Sequence, residues 1–207
     1  MELLIGLIIL IFSAILHEVA HGFAADRLGD PTARLAGRLT LNPIPHIDPF
    51  MSILLPLLLM FSGSPIIFGA AKPVPIDPFN LKEGKKDIAL TALAGPATNI
   101  AIAIVAALAI KLLTSNFLLP ASSLYPLLST IVFYNLLLAV LNLIPIPPLD
   151  GSKVFAFLLP DREAAAYLSL GGIGIFILFF LLLFPIGGIS LGKIIFDIVS
   201  FGMKVLG

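Results

Sequence analysis

Long apolar runs constrain the fold of this 207-residue chain more than any other feature. A membrane-spanning helix needs about 20 mostly apolar residues, and five segments of the sequence meet that requirement. They are Leu3–Ala24, Ile88–Leu112, Leu124–Ile146, Ala165–Phe184 and Ile189–Leu206. The composition agrees, because 59% of the residues are hydrophobic and 12% are charged, whereas soluble proteins are about 25% charged. The sequence therefore predicts one all-α, polytopic membrane domain over residues 1–207.

A sixth apolar segment, Pro49–Ala71, is interrupted by Pro56 and by the residues SGSP at Ser62–Pro65, and such residues end helices. Lys and Arg collect in cytoplasmic loops, so their distribution tests whether this segment crosses the membrane. If it crosses, the 12 basic residues divide five to seven between the two sides; if it does not, they divide ten to two. The second arrangement is favoured. It predicts five full spans, a re-entrant or interfacial sixth segment, an N-terminus outside and a cytoplasmic C-terminus.

Three ionisable residues, His17, Glu18 and His21, lie toward the inner end of the first span. Residues four apart share one face of a helix, so both imidazoles can reach one ion. This spacing suits Zn²⁺, which in catalytic sites keeps an open position for water, and Glu18 is placed to act on that water as general base. Ionisable groups cost about 2.5 to 3.5 kcal/mol at the centre of a spanning helix. That cost favours a metal site over a chance match to the pattern.

Catalytic zinc takes a third protein ligand, and Asp150 is the best candidate. It follows the third span in NLIPIPPLDG, where three prolines break the helix, and unwound backbone can present a side chain to a metal between helices. Capping of the next helix is the alternative. Asp150 and the histidines lie at one depth only if one full crossing separates their spans, as the charge distribution also favours. His46, close to Asp48, is a weaker metal signal, and a surface role or a backbone hydrogen bond is preferred for it.

Two amide side chains lie within or at the end of spans. Asn142 could donate a hydrogen bond to a developing oxyanion or bridge two helices, and the sequence does not separate these roles. Asn99, in LAGPATNIAIA, is interpreted as a packing residue, in a region where Gly95 and Pro96 allow a close approach or a kink.

Taken together, HEVAH, AGPATN and NLIPIPPLDG resemble the site-2 protease family of intramembrane zinc metalloproteases. The segments LTLNPIPHIDPF and FGAAKPVPIDPFNL look like those of a compact prokaryotic branch without PDZ or CBS domains. The resemblance covers about residues 10–155, which places a catalytic core at about 3–155 and two C-terminal helices at 165–206. It implies one Zn²⁺ per chain held by His17, His21 and Asp150. It also implies that Glu18 activates water and that Asn142 helps to stabilise the tetrahedral intermediate.

The resemblance further implies regulated intramembrane proteolysis in a prokaryotic cell membrane, with the active site toward the cytoplasm. Family substrates are single-span proteins such as anti-sigma factors and membrane-held transcription factors. Short strands or extended turns are expected near the site, in Thr32–Leu41 and Pro65–Val74, and an ordinary membrane-surface loop is the alternative there because Pro and Gly are frequent. A metal-ion transporter and an inactive, protease-like scaffold are the alternative functions. The net charge of zero gives no indication of a nucleic-acid partner.

Overall fold

Helices make up nearly all of the regular structure in the computed structural model, which describes residues 2–54, 58, 61, 71–115, 121–188 and 190–206. The α-helices are α1 (Glu2–Leu28), α2 (Thr32–Leu35), α3 (Lys85–Ser115), α4 (Ala121–Asn142), α5 (Asp150–Phe157), α6 (Asp161–Leu168), α7 (Gly171–Leu183) and α8 (Leu191–Leu206). Short 3₁₀ turns form at Ile44–His46 and Pro78–Asn80, and a π-helical turn forms at Pro49–Leu54. The prediction of an all-α fold is confirmed for these residues.

Three of the helices are long and apolar enough to cross a membrane: α1 over Leu4–Leu28, α3 over Lys85–Leu113 and α4 over Leu124–Asn142. They correspond to the first three predicted spans. The third ends at Asn142 rather than at Ile146, because the prolines that follow cannot continue the helix. The chain is therefore a multi-pass membrane protein.

The C-terminal region differs from the prediction of two straight spans. Ala165–Phe184 is divided between α6 and α7, whose axes differ by 64°; the break lies at Ser169 and Leu170, just before the pair Gly171–Gly172. Ile189–Leu206 contains only the 16-residue helix α8, which is shorter than the roughly 20 residues that cross a bilayer. The described helices thus give three spans, or four if the bent pair counts as one, and not five.

The predicted strands do not form in the part of the chain that the structure describes. Thr32–Leu41 begins with helix α2 and continues through turns, and the Asp30 carboxylate accepts the N–H of Thr32, the first residue of that helix. Within Pro65–Val74, residues 65–70 lie outside the described residues, and 71–74 have no regular structure. Most of the sixth apolar segment, Pro49–Ala71, also lies outside them.

Helix α3 occupies the centre of the bundle, where it contacts α1, α4 and α5. Small buried residues on α3 (Ala103, Ala106 and Ala107) pack against Val132 of α4, and small side chains allow membrane helices to approach closely. This packing places α3 beside both halves of the predicted metal site, the histidines of α1 and the aspartate of α5.

Candidate metal centre

The side chains of His17, His21 and Asp150 meet at one buried point. The two Nε2 atoms are 3.0 Å apart. Oδ2 of Asp150 lies 3.1 Å from Nε2 of His17 and 3.0 Å from Nε2 of His21. The one-turn spacing on α1 accounts for the histidine pair, and the contact of α3 with both α1 and α5 holds the aspartate against it. The structure therefore brings together the three predicted ligands, although they are up to 133 residues apart in sequence.

This geometry fits a zinc ion. Tetrahedral coordination with bonds of about 2.0 to 2.1 Å keeps ligand atoms about 3.3 Å apart, and the observed separations of 3.0 to 3.1 Å are close to that value. Two imidazole nitrogens and a carboxylate oxygen are ligands that zinc prefers. Three converging lone pairs would repel one another in a buried space unless a cation lay between them. The donor set therefore suits a divalent cation.

Each imidazole also has a polar partner at Nδ1, the ring nitrogen that does not face Asp150. The Nδ1–H of His21 donates to the backbone carbonyl of Thr91, at 2.7 Å. Since a carbonyl only accepts, Nδ1 carries the proton and Nε2 is left free for a metal. Nδ1 of His17 contacts Oδ1 of Asn99, at 2.5 Å. Asn99, interpreted from the sequence as a packing residue, thus contacts a metal ligand directly.

Gly95 lets α3 approach the histidine pair. A Cβ atom added there would lie 2.5 Å from Nε2 of His21 and 2.6 Å from Nε2 and Cε1 of His17. No side chain can occupy this position without displacing the rings. The close approach that the sequence allowed at Gly95 is confirmed.

Asp150 is the first residue of α5, and the N-cap position of that helix is occupied by Leu149. The Asp150 carboxylate contacts the histidines, so the capping alternative does not describe its position. Its second oxygen, Oδ1, accepts a hydrogen bond from Nζ of Lys153 at 3.1 Å. Lys153 thereby leaves Oδ2 alone to face the imidazoles. The glycine that follows, Gly151, packs directly against the carbonyl of Leu143.

Glu18 is fixed by a backbone segment that comes from far along the chain. Its Oε2 accepts a hydrogen bond from the N–H of Val74 at 2.8 Å. The preceding residues are held by the side chain of Arg38 and the backbone of His46, both of which are buried residues. Arg38 donates to the carbonyls of Lys72 and Pro73 at 2.8 Å and 3.4 Å, and the His46 carbonyl accepts the Lys72 N–H at 2.8 Å.

Sequence reasoning missed Arg38, because nothing near it in the chain marks it as a partner of residues 72 and 73. Of the two roles preferred for His46, the backbone hydrogen bond is confirmed and the surface role is not, because the residue is buried. The His46 ring bonds the backbone carbonyl of Thr40 through Nε2 at 2.9 Å, and it does not belong to the metal group among the residues that the structure describes.

Asp30 ties the end of α1 to the segment at residues 77–80. Its carboxylate accepts hydrogen bonds from the N–H and hydroxyl of Thr32, the amide of Asn80 and the N–H of Asp77. Burial alone would raise the pKa of Asp30, but these hydrogen bonds outweigh burial and hold the pKa below its ordinary value of 3.8. The carboxylate is therefore ionised at neutral pH.

The hydrogen bond of Asn142 is to its own helix and not to the three predicted ligands. Its amide donates to the carbonyl of Leu138, one turn earlier in α4, at 3.0 Å. Across the described ranges, no hydrogen bond joins Asn142 to His17, His21 or Asp150. Its role with an oxyanion stays a prediction.

Comparison with known proteins gives consistent matches. The sequence pattern of peptidase family M50 matches residues 113–185. YwhC of Bacillus subtilis (strain 168) is 35% identical over 184 residues, which are 87% of this chain and 80% of YwhC. Rip2 of Mycobacterium tuberculosis (strain H37Rv) is 34% identical over 154 residues, 74% of this chain but 57% of Rip2. Both relatives carry zinc-metalloprotease names. No solved structure matches the chain significantly.

Proposed function

Because this chain belongs to peptidase family M50, the site-2 protease family, we propose that it is an intramembrane zinc metalloprotease. It would hydrolyse peptide bonds in or near the transmembrane segments of other proteins. The observation that carries the proposal is the meeting of His17, His21 and Asp150 within 3.1 Å of one another, with Glu18 adjacent to the first of them in sequence.

Each residue has a distinct role in this proposal. His17 and His21 hold zinc through Nε2, and Asp150 holds it through Oδ2. When bound, zinc acidifies a water molecule and polarises the scissile carbonyl. Glu18 takes the proton of the attacking water. Since Oε2 of Glu18 accepts the Val74 N–H, Oε1 is the oxygen that receives this proton.

Asn142 would donate to the oxyanion that develops on the scissile carbonyl. One N–H of its Nδ2 donates to the Leu138 carbonyl, and the second N–H of the amide is the one that would serve the oxyanion.

The membrane side and the substrates follow from the same proposal. The bias of Lys and Arg supports a cytoplasmic active site, with the N-terminus outside the cell membrane. This bias does not depend on the last two predicted spans, because Arg34, Arg38, Lys72 and Lys82 lie between α1 and α3, whereas Lys111 lies toward the opposite end of α3. Suitable substrates are single-span membrane proteins, such as anti-sigma factors and membrane-held transcription factors. A helical peptide bond is shielded by its own hydrogen bonds, so the substrate must unwind before it is cut.

The test compares wild type with Glu18→Gln on a single-span test substrate in proteoliposomes. Glu163→Gln, a change of the same kind on an exposed residue of α6, is the matched control. We expect all three proteins to retain zinc, and cleavage by Glu18→Gln to fall by about 10² to 10⁴-fold, the usual contribution of a general base. Cleavage by Glu18→Gln at the rate of wild type would contradict the proposal. Zinc flux that survives the substitution would indicate a transporter instead.

A further inference from the structure

A line of buried amide side chains leads from His17 across the three spanning helices. Asn99 on α3 and Asn135 on α4 are both completely buried. Asn99 contacts Nδ1 of His17, and its own Nδ2 donates to Oδ1 of Asn135 at 2.8 Å. In an apolar bundle each polar group must be satisfied internally, and this pair of linked amides ends on a predicted metal ligand rather than only joining two helices.

The orientation of these amides is set at the far end of the line. Nδ2 of Asn135 donates to the backbone carbonyl of Ile131 at 2.9 Å and to Oγ of Ser13 at 2.9 Å. A backbone carbonyl only accepts, so the nitrogen of Asn135 must point toward Ile131. Its oxygen therefore points toward Asn99, and it requires a donor there.

The same reasoning fixes Asn99. Its nitrogen must face the oxygen of Asn135, so its oxygen faces His17. An amide oxygen can only accept, which requires the proton of His17 to be on Nδ1. With that tautomer, Nε2 of His17 presents its lone pair to His21 and Asp150, where the metal would lie.

We propose that Asn99 is a positioning residue that holds His17 in the Nδ1–H tautomer, and that Asn135 keeps Asn99 from turning over. The inference rests on the proposed zinc site but not on peptide hydrolysis. His21 needs no such device, since its partner is the backbone carbonyl of Thr91, which cannot rotate. A free amide at position 99 could rotate by 180° and offer its nitrogen instead. The proton of His17 would then move to Nε2 and block the metal.

The test uses zinc affinity, measured by competition with a chelator in detergent, and ¹⁵N NMR of protein labelled at histidine. The chain has three histidines, and a His46→Ala sample removes one signal for assignment. In metal-free wild type, we expect Nδ1 of His17 to carry a proton, because Oδ1 of Asn99 accepts there. In Asn99→Leu, we expect that signature to be lost and zinc affinity to fall by about 10 to 100-fold, as for other partners of metal-bound histidines.

Two further variants separate positioning from simple structural support. In Asn99→Asp, one carboxyl oxygen still accepts the Nδ1–H of His17, and the other, when protonated, still donates to Oδ1 of Asn135. Zinc affinity should therefore recover to within about tenfold of wild type. Asn135→Leu retains Asn99 but removes the stronger of the two acceptors of its Nδ2, which leaves only the Ser13 carbonyl at 3.5 Å. We expect a mixture of His17 tautomers with weakened zinc binding. This second variant keeps the proposal testable if Asn99→Leu does not fold.

Ser13→Ala is the matched control. It removes one acceptor from Asn135 but leaves the Ile131 carbonyl, which sets the amide direction. We expect zinc affinity within about twofold of wild type. Unchanged His17 tautomer and zinc affinity in folded Asn99→Leu or Asn135→Leu would overturn the proposal. Because no readout involves cleavage, a failure of the protease hypothesis would be recognised separately.

Discussion

The addition of one methyl group at Gly95 should disrupt the metal centre while leaving the rest of the bundle folded. In Gly95→Ala, the new Cβ would lie 2.5 Å from Nε2 of His21 and 2.6 Å from Nε2 of His17, whereas ordinary contacts begin at 3.4 Å. The rings must therefore retreat by about 0.8 to 0.9 Å, or α3 must move. Small buried residues of α3 hold it against α4, so the histidine rings are the parts that we expect to move.

The size of this displacement predicts the effect on metal binding. Ligand distances in metal sites vary by only about 0.2 Å, so a shift of about 0.8 Å removes at least one ligand. We expect zinc affinity to fall by more than about 100-fold. That is more than the loss usually seen when a hydrogen-bond partner of a metal-binding histidine is removed. The overpacking itself would cost about 1 to 3 kcal/mol of folding stability.

The assay is the zinc dissociation constant of the purified protein, measured by chelator competition, together with thermal unfolding. Gly172→Ala is the matched control, because a Cβ there meets no atom within 4 Å. We expect this control to bind zinc as wild type does. If folded Gly95→Ala binds zinc within about threefold of wild type, the close packing of α3 on the histidines is not what the structure indicates.

Two further predictions concern the segments that support Glu18. Arg38→Leu removes the donor to the carbonyls of Lys72 and Pro73. We expect this variant to retain zinc and to cleave its substrate roughly tenfold more slowly than wild type. Arg34→Leu, which changes an exposed side chain, should cleave at the rate of wild type. Equal rates for both variants would contradict this role of Arg38. Asp30→Asn places an amide N–H against one of the donors that the carboxylate accepts, such as the N–H of Thr32 or Asp77. The free energy of unfolding at pH 7 should fall by about 1 to 3 kcal/mol. Because the pKa of Asp30 is lowered by folding, its carboxylate stabilises the protein above its ordinary pKa of 3.8, and this contribution is lost as pH falls through the folded-state value. Thermal unfolding at a series of pH values should therefore show the two proteins converging below about pH 3.8, and a constant difference would refute the assignment.

Local spacing was sufficient to predict one half of the site. The i, i+4 relation of His17 and His21 depends only on the helical repeat, which holds wherever the helix forms. The approach of Asp150 could also be predicted, because charge distribution limits which spans run in the same direction.

The supporting contacts of the site could not be predicted in this way. Thr91, Gly95 and Asn99 all lie on α3, and they meet the histidines only through packing between helices that are about 70 to 80 residues apart in sequence. The sequence placed a glycine and an amide there but did not give the register of α3 against α1. That register decides which of its residues face the metal.

The prediction of five spans is not confirmed among the described residues for a related reason. Hydropathy counts apolar residues but does not test whether one helix contains them. Ala165–Phe184 is apolar enough, yet the chain turns at Ser169 and Leu170. Likewise, Gly187 and Gly188 adopt positive φ angles just before α8, which shortens the last helix.

The most direct test of the zinc centre is X-ray absorption spectroscopy at the zinc edge of purified wild-type protein, with metal content measured on the same sample. We predict about one zinc per chain with two imidazole nitrogens and oxygen ligands at about 2.0 to 2.1 Å. The imidazole signal should weaken in His21→Gln. Folded protein that takes up no zinc, or zinc with no imidazole in its coordination shell, would contradict the assignment of His17, His21 and Asp150 as its ligands.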